Sequence, residues 1–305
     1  MRIIFIGQAA FGKEALETLL NQQENIVGVI TIPDPVPQKY PNPVKESAEE
    51  NELVLLQSRS LKSQQAVAWV RELKPDLLVL AFVTSFVPQE MIDLARLGGI
   101  NYHPSLLPKY RGGSAINWAI INGEKETGVS IHYIDEGVDS GPIIIQEKVA
   151  IEPDDTVKSV YFGKLYPLGL KMIAEAVQLI REEKAIAIDQ DEALASFQPV
   201  IGPKDTIIDW KQPTEKLYNL IRGANPAPGA MTSLHGESCR IFDAKRADGL
   251  GAPGTVLEVG ESDFTVAGAD GAILVQSVQP AKQKKIQAHV FAQQVQLKLG
   301  DTFGI

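Results

Sequence analysis

The first part of the chain alternates short apolar segments with amphipathic ones. The apolar segments are rich in β-branched residues, whereas the segments between them repeat apolar residues at helical spacing. In chain order, the pattern predicts strands at 2–6, 25–32, 53–56 and 76–82 and helices at 13–21, 44–51 and 62–73. Strands that alternate with helices are typical of a mainly parallel sheet covered on both faces, so we predict an α/β, Rossmann-like fold.

The pattern changes in the remainder of the chain. It continues with strands at 99–103, 128–134 and 142–149, a helix at 114–121, and a long helical region that Thr156 caps and Pro167 breaks. Periodicity weakens near 187–203, and a helix follows at 214–222. Beyond it, short strands separated by glycines are predicted at 238–242, 254–259, 264–267 and 272–278. We therefore predict a larger α/β domain at 1–189, a linker at 190–207 and a small OB-like β-barrel at 208–305.

Composition and charge narrow the class of protein. Apolar residues form 44% and charged residues 22% of the 305 positions, as in ordinary globular proteins. The net charge of −9 argues against strong non-specific binding to a nucleic-acid backbone, and the single cysteine, Cys239, excludes an internal disulfide. Apolar runs are too short to span a bilayer and Met1–Ile6 lacks signal-peptide features, so we expect a cytoplasmic protein without a membrane partner. No apolar surface stripe is evident, which favours a monomer.

The first strand–helix turn, Gly7-Gln-Ala-Ala-Phe-Gly-Lys13, nearly matches a phosphate-binding loop. Glu14 stands where that motif needs a Ser or Thr for magnesium, and Ala9 replaces the second glycine of a dinucleotide fingerprint. We therefore exclude an NTPase and interpret the small residues as packing, with about one chance in ten of a nucleotide site.

Candidate chemistry is concentrated in Gly99-Ile-Asn-Tyr-His-Pro-Ser-Leu-Leu-Pro-Lys-Tyr-Arg-Gly112. Residues two apart on a strand share a face, so Asn101 and His103 lie on one side of the predicted strand and Tyr102 on the other. The carboxyl end of a strand is where open α/β sheets bind ligands. An amide and an imidazole placed there predict a catalytic site.

Two other segments can contribute to this site. The acidic turn Asp135-Glu-Gly-Val-Asp-Ser-Gly141 lies between two predicted strands, and the ends of neighbouring strands in a parallel sheet converge on one crevice. Asp139 could therefore reach His103, favour its protonated form and position a water. The apolar strand exit at 82–88 is either core or the wall of a pocket for a flat heterocycle. The other histidines have no metal-ligand spacing, and His132, inside a strand, is interpreted as packed or exposed rather than catalytic.

Three motifs together carry a resemblance. Asn101-x-His103-Pro-Ser-Leu-Leu-Pro108, Tyr110-Arg-Gly112 and Gly137-Val-Asp139-Ser-Gly141 agree in order and separation with the formyltransferases that use 10-formyltetrahydrofolate. The resemblance continues through Pro153–Thr156 and Ile221–Gly229 and so covers nearly the whole chain. The C-terminal barrel is similar to the two-domain branch: methionyl-tRNA formyltransferase, the hydrolase domain of formyltetrahydrofolate dehydrogenase, and the aminosugar formyltransferases.

The resemblance leaves the acceptor open within that branch. The methionyl-tRNA formyltransferases are the first choice, and initiator methionyl-tRNA is then the expected partner. However, the loop at 33–43 has Lys39 as its only cation, whereas tRNA-formylating members have a longer, more basic loop. Segments at 7–12 and 114–118 are closer to the dehydrogenase front domain. Alternatives are therefore a 10-formyltetrahydrofolate hydrolase, an aminosugar-nucleotide N-formyltransferase, and a folate- or RNA-binding module without chemistry.

The resemblance also implies roles for individual residues. Asn101 and protonated His103 would stabilise the charge on the tetrahedral intermediate, His103 would transfer protons, and Asp139 would orient His103. The folate would lie against two strand exits, at Phe82, Val83, Ser85, Phe86, Ile134, Gly137 and Val138. The co-substrate would be 10-formyltetrahydrofolate, and no metal is expected.

Overall fold

The fold is described from a computed structural model, which describes residues 1–37 and 40–304. Lys39 therefore lies outside the described residues. The chain divides into two compact units, one of Met1–Arg111, Gly128–Lys148 and Lys164–Phe197 and the other of Gly112–Thr127, Val149–Gly163 and Gln198–Ile305. The continuous division at 1–189, 190–207 and 208–305 stays a prediction.

A seven-stranded sheet forms the centre of the first unit. Its strands are β1 (Arg2–Gly7), β2 (Asn25–Thr31), β3 (Leu55–Gln57), β4 (Leu77–Ala81), β5 (Gly99–His103), β7 (Glu126–Tyr133) and β8 (Ile143–Ala150), in the order β3-β2-β1-β4-β5-β7-β8. The pairs from β3 to β5 are parallel, whereas β5 and β7 are antiparallel. The predicted Rossmann-like, mainly parallel sheet is confirmed.

Helices accompany the strands of this sheet. They are α1 (Ala9–Asn21), α2 (Pro43–Glu50), α3 (Gln64–Leu73), α4 (Gln89–Ile92) and α7 (Tyr166–Arg181). At the turn into α1, a Cβ on Gly12 would come within 3.0 Å of the Gly7 backbone. The small residues of this turn therefore allow close strand–helix packing, as their interpretation as packing residues requires.

The region around Pro167 differs in detail from its prediction. Thr156 does cap a helix, α6 (Val157–Val160), but this helix passes through one wide π-helical turn at Tyr161–Leu165 before α7 begins. Pro167 is the second residue of α7, directly after this turn, and it has no N–H to donate to the helical turn before it. The irregularity therefore lies immediately before the proline, next to the predicted break, and the helix continues beyond it.

The second unit is rich in antiparallel strands. One four-stranded sheet has the order β10-β11-β16-β17 and the other β12-β15-β14-β13. Their bounds are β10 (Ala230–Leu234), β11 (Glu237–Ile241), β12 (Ala244–Ala247), β13 (Val256–Val259), β14 (Phe264–Ala267), β15 (Ala272–Val275), β16 (Ser277–Pro280) and β17 (Ile286–Gln287). The unit also contains α5 (Ala115–Ile121), α8 (Thr214–Gly223) and α9 (Ala288–Val295). A separate two-stranded ladder pairs β6 (Arg111–Gly112) with β9 (Phe197–Gln198).

Phe264 lies at the centre of the core of the second unit. It is fully buried, and its ring stacks on Phe303 at 5.6 Å between centroids and contacts Phe291 at 6.1 Å. Removing a buried phenylalanine ring loses its transfer free energy and leaves a cavity, so F264A should destabilise the protein by about 3–5 kcal/mol. Urea unfolding followed by circular dichroism measures this loss. The matched control is L250A, since Leu250 is 82% exposed; an equal loss in both variants would contradict the assignment of this core.

Candidate active site

Strand β5 carries the first two candidate catalytic residues, Asn101 and His103. Asn101 and His103 lie on one face of it, and Tyr102 faces the other way, where its ring packs at 4.4 Å from that of Phe11 in α1. His103 is 4% exposed and Asn101 is half-buried. The aromatic contact behind the strand anchors it, so the face that carries the amide and the imidazole is held in place.

Asp139 meets both side chains. Its Oδ2 lies 3.4 Å from Nδ1 of His103, and Asn101 Nδ2 donates to its Oδ1 at 3.3 Å. The carboxylate is only 14% exposed. The structure therefore brings together the amide, the imidazole and the carboxylate that sequence patterns predicted as one site.

The strand that leads to Asp139 does not have the direction that the sequence analysis assumed. Asp139 was predicted to meet His103 because the carboxyl ends of neighbouring parallel strands lie at one edge of the sheet. β7 is instead antiparallel to β5, with His103 opposite Ser130 and Ile100 opposite Tyr133. The loop that follows β7 brings Asp139 to the side chains of β5. Asp139 itself has a left-handed φ of 53°, which is strained for a residue other than glycine.

The hydrogen bond at Nε2 determines the tautomer of His103. Nε2 lies 2.7 Å from the carbonyl oxygen of Tyr110. A carbonyl can only accept, so Nε2 carries a proton and donates it. In the neutral ring the lone pair is then on Nδ1, the atom that faces Asp139.

Burial lowers the pKa of His103 from its ordinary value, and the Asp139 carboxylate and the Tyr110 carbonyl offset only part of this effect. Asp139 by itself favours the protonated form, as the sequence predicts, but desolvation outweighs its effect on the pKa. Near neutral pH the site therefore contains a neutral imidazole beside a carboxylate. Two acceptors face each other there, an arrangement ready to take up a proton.

This electrostatic balance predicts the titration of His103. Its NMR midpoint should lie below about 6.5, the value for an unperturbed histidine, and H103A identifies its resonance among the four histidines. Because protons then bind the unfolded chain more tightly, this histidine should also reduce stability as pH falls from about 6.5 towards the folded midpoint. A midpoint above 6.5 would show that the carboxylate, not burial, dominates.

His132 is a component that the sequence interpretation missed. It is opposite Asn101 in the β5–β7 pair and only 2% exposed. Its Nδ1 donates to the Tyr133 carbonyl at 2.7 Å, so in the neutral ring Nε2 accepts from Asn101 Nδ2 at 3.4 Å. Asp139 Oδ1 lies 3.5 Å from the same Nε2. Of the two alternatives given for His132, packed or exposed, the structure shows the packed one, and it places the ring at the site itself. Only the strand register could have indicated this contact, and a single sequence does not supply it.

The predicted folate wall lies at two chain segments. Val83 and Ile134 are partly buried against the same hydrophobic core, and Ile134 N donates to the Gly99 carbonyl at 2.8 Å. Phe82, Phe86 and Val138 are 43%, 44% and 48% exposed. Ser85 is half-buried, and Gly137 N donates to Asp135 Oδ1 at 3.0 Å. Large apolar side chains are thus open to a ligand here, although their role in binding stays a prediction.

A three-ligand metal site and a membrane-spanning helix are both absent from the described part of the chain. Residues 1–37 and 40–304 contain no group of three His, Cys, Asp or Glu side chains that could hold a metal ion. Within the same ranges, every helix is too short or too polar to cross a bilayer.

Comparison with known proteins identifies the family. The formyl transferase model matches residues 1–175, and the formyl transferase C-terminal domain model matches residues 200–296. The methionyl-tRNA formyltransferase of Geotalea uraniireducens is 34% identical over 308 residues, covering 100% of this chain and 98% of its own. That of Moorella thermoacetica is 36% identical over 310 residues, covering 100% and 99%.

A solved structure agrees in fold. HypX from Aquifex aeolicus, in complex with tetrahydrofolic acid, superposes with a TM-score of 0.70 at 20% identity over 99% of this chain. The alignment covers 48% of HypX, so this chain spans about half the length of that protein.

The two family models and the full-length relatives agree with the family that the sequence motifs resemble. The prediction of a 10-formyltetrahydrofolate-dependent formyltransferase with a Rossmann-like domain is confirmed. This chain belongs to the formyl transferase family.

Proposed function

We propose that the protein transfers a formyl group from 10-formyltetrahydrofolate to the α-amine of initiator methionyl-tRNA. The observation that carries the proposal is the cluster of Asn101, His103 and Asp139, whose polar atoms lie 3.3–3.4 Å apart around one carboxylate. The curated full-length relatives, which are named methionyl-tRNA formyltransferases, support this acceptor over an aminosugar or water.

His103 is the proposed base. The amine attacks the formyl carbon, a new N–C bond forms, and the amine must release a proton. The neutral Nδ1 of His103 accepts it, and the Asp139 carboxylate stabilises the imidazolium that results. The same proton then passes to N10 of the folate as the C–N10 bond breaks, so the enzyme returns to its starting protonation state.

Asn101 is the proposed donor to the developing oxyanion. Its amide hydrogens are directed at Asp139 and His132 at 3.3 and 3.4 Å, which is long for a hydrogen bond. An amide held so loosely can turn one hydrogen to the substrate oxygen. In the transition state, one such donor is typically worth about 3 kcal/mol.

The folate would bind where apolar side chains are exposed, at Phe82, Phe86 and Val138. Their combination with the half-buried Val83 suits a flat heterocycle, because aromatic rings stack on planar ligands. HypX, which has the same fold, was solved with tetrahydrofolic acid bound. The chemistry is cytoplasmic in this proposal, since charged tRNA is its second substrate.

The test offers purified protein 10-formyltetrahydrofolate with one acceptor at a time: methionyl initiator tRNA, a panel of aminosugar nucleotides, or water alone. The proposal predicts formylated methionyl-tRNA at a rate far above the release of formate. Turnover with a sugar nucleotide alone would assign the aminosugar branch, and formate release that is independent of acceptor would assign a hydrolase.

A further inference from the structure

One polar side chain of the first unit links the loop at 134–142, called the Asp139 loop below, to a distant part of the chain. The side chain of Gln190 donates from Nε2 to the carbonyl oxygens of Asp139 at 2.8 Å and Gly141 at 2.7 Å. Gln190 lies between α7 and β9, in a segment where the periodicity of the sequence is weak and where the linker at 190–207 is predicted. Gln190 is linked to the side chains of Asp139 and His103 through the backbone that carries Asp139.

Arg111 fixes the orientation of this amide. Its guanidinium donates to Gln190 Oε1 from Nε at 3.1 Å and from Nη2 at 2.8 Å. Since the oxygen is occupied in this way, the nitrogen must face the loop. Glu192 holds the other side of the guanidinium, with contacts of 2.6 and 3.0 Å, and Arg111 is 8% exposed.

The same segment is attached to the rest of the site at both ends. Ile188 pairs with Ile143 of β8, and Ser196 accepts from Arg111 N through its carbonyl and from Tyr110 N through Oγ, both at 2.9 Å. The carbonyl of Tyr110 in turn binds His103. One chain segment thus holds the partner of the imidazole and the partner of the carboxylate.

The loop itself needs external support. Its two ends meet closely, since a Cβ on Gly141 would lie 2.0 Å from the Tyr133 carbonyl oxygen. Between them Asp139 adopts a left-handed φ of 53°, a conformation that persists only where surrounding contacts impose it. The two carbonyls that Gln190 binds flank the residue after Asp139.

We propose that Gln190 is a positioning residue for formyl transfer, which holds the strained Asp139 loop against His103 while Arg111 fixes its amide. The proposal rests on the proposed function for the role of Asp139. Only an amide serves here, because it accepts from Arg111 and donates to two carbonyls with one planar group.

Two substitutions separate this role from simple attachment of Arg111. Q190M removes every polar contact, whereas Q190E keeps an oxygen for Arg111 and turns a second oxygen towards the loop carbonyls. Both should lower kcat roughly 10- to 100-fold, since small displacements of catalytic groups cost this much. Q178M is the matched control, because Gln178 bonds only Glu182 on the exposed surface of α7.

The titration of His103 provides a second readout that a loss of stability would not move. The charged and titratable groups around it are Asp139 and His132, with Asp135 and Arg111 beyond the carboxylate. If Asp139 moves away in Q190M, His103 loses an attraction that favours its protonated form, so its NMR midpoint should fall below that of the wild type. The Q178M midpoint should stay unchanged.

Each outcome decides the proposal. Lowered kcat in both variants with a lower His103 midpoint in Q190M supports it. Wild-type kcat in Q190E, or an unchanged midpoint in Q190M, overturns it. If the wild type transfers no formyl group, the proposed function fails, whereas a shifted midpoint would still show that Gln190 positions the carboxylate.

Discussion

H103A should lose almost all formyl transfer while it still binds the folate. His103 Nδ1 is the proposed acceptor of the proton from the amine, and positioned acid–base catalysis is worth about 10²–10⁴ in rate. The predicted folate wall lies at other residues, so the dissociation constant for the folate should change little. Steady-state kinetics of formyl transfer and a fluorescence titration with folate measure the two quantities.

A second variant separates catalysis from packing. His103 is 4% exposed and its Nε2 donates to the Tyr110 carbonyl, so alanine leaves a cavity and removes this donor. In H103Q the amide can still donate to that carbonyl but cannot take a proton. H103Q should therefore be as inactive as H103A but more stable to heat. The control H235A changes a half-exposed histidine and should keep the wild-type rate of formyl transfer. Activity in H103Q would contradict the role of His103 as base.

D139N should lower kcat on the order of 10³-fold, within the range of a lost acid–base group. Asparagine has the size of aspartate but carries an amide that can donate to Nδ1 of His103. Because the Tyr110 carbonyl keeps the other proton on Nε2, this donation would occupy the only lone pair of the imidazole. The variant thus removes the charge that stabilises the imidazolium and also blocks the base.

The control for D139N is D189N, which changes an exposed carboxylate of the same unit. D189N should keep wild-type kcat. In D139N the His103 midpoint should fall further, since the carboxylate that raises it is gone. Wild-type kcat in D139N, or a His103 midpoint that does not move, would show that the two side chains do not act together.

The local features of the site could be predicted from the sequence. Strand periodicity placed Asn101 and His103 on one face of β5, and most strands and helices lie within a few residues of their predicted bounds. Features that depend on partners far away in the sequence could not be predicted in this way. The strand predicted at 272–278 is two strands, because Gln276 and Ser277 donate to the Asp243 carbonyl instead of continuing one ladder.

The site shows the same limit. Asp139 lies beside His103, but the prediction that they meet assumed a parallel register that β7 does not have. His132 joins the site through that antiparallel register, and Gln190 through hydrogen bonds to backbone carbonyls about fifty positions earlier in the chain. Neither register nor contacts to backbone carbonyls leave a pattern in one sequence, since any side chain of suitable length can make them.

The most direct test follows a labelled formyl group. Wild-type enzyme is mixed with 10-[¹³C]formyltetrahydrofolate and methionyl initiator tRNA, and the amino acid released from the tRNA is analysed by mass spectrometry. The account predicts labelled N-formylmethionine with the wild type and D189N and almost none with D139N or H103Q. Label recovered only as formate, or on methionine at equal rates in all four proteins, would contradict it.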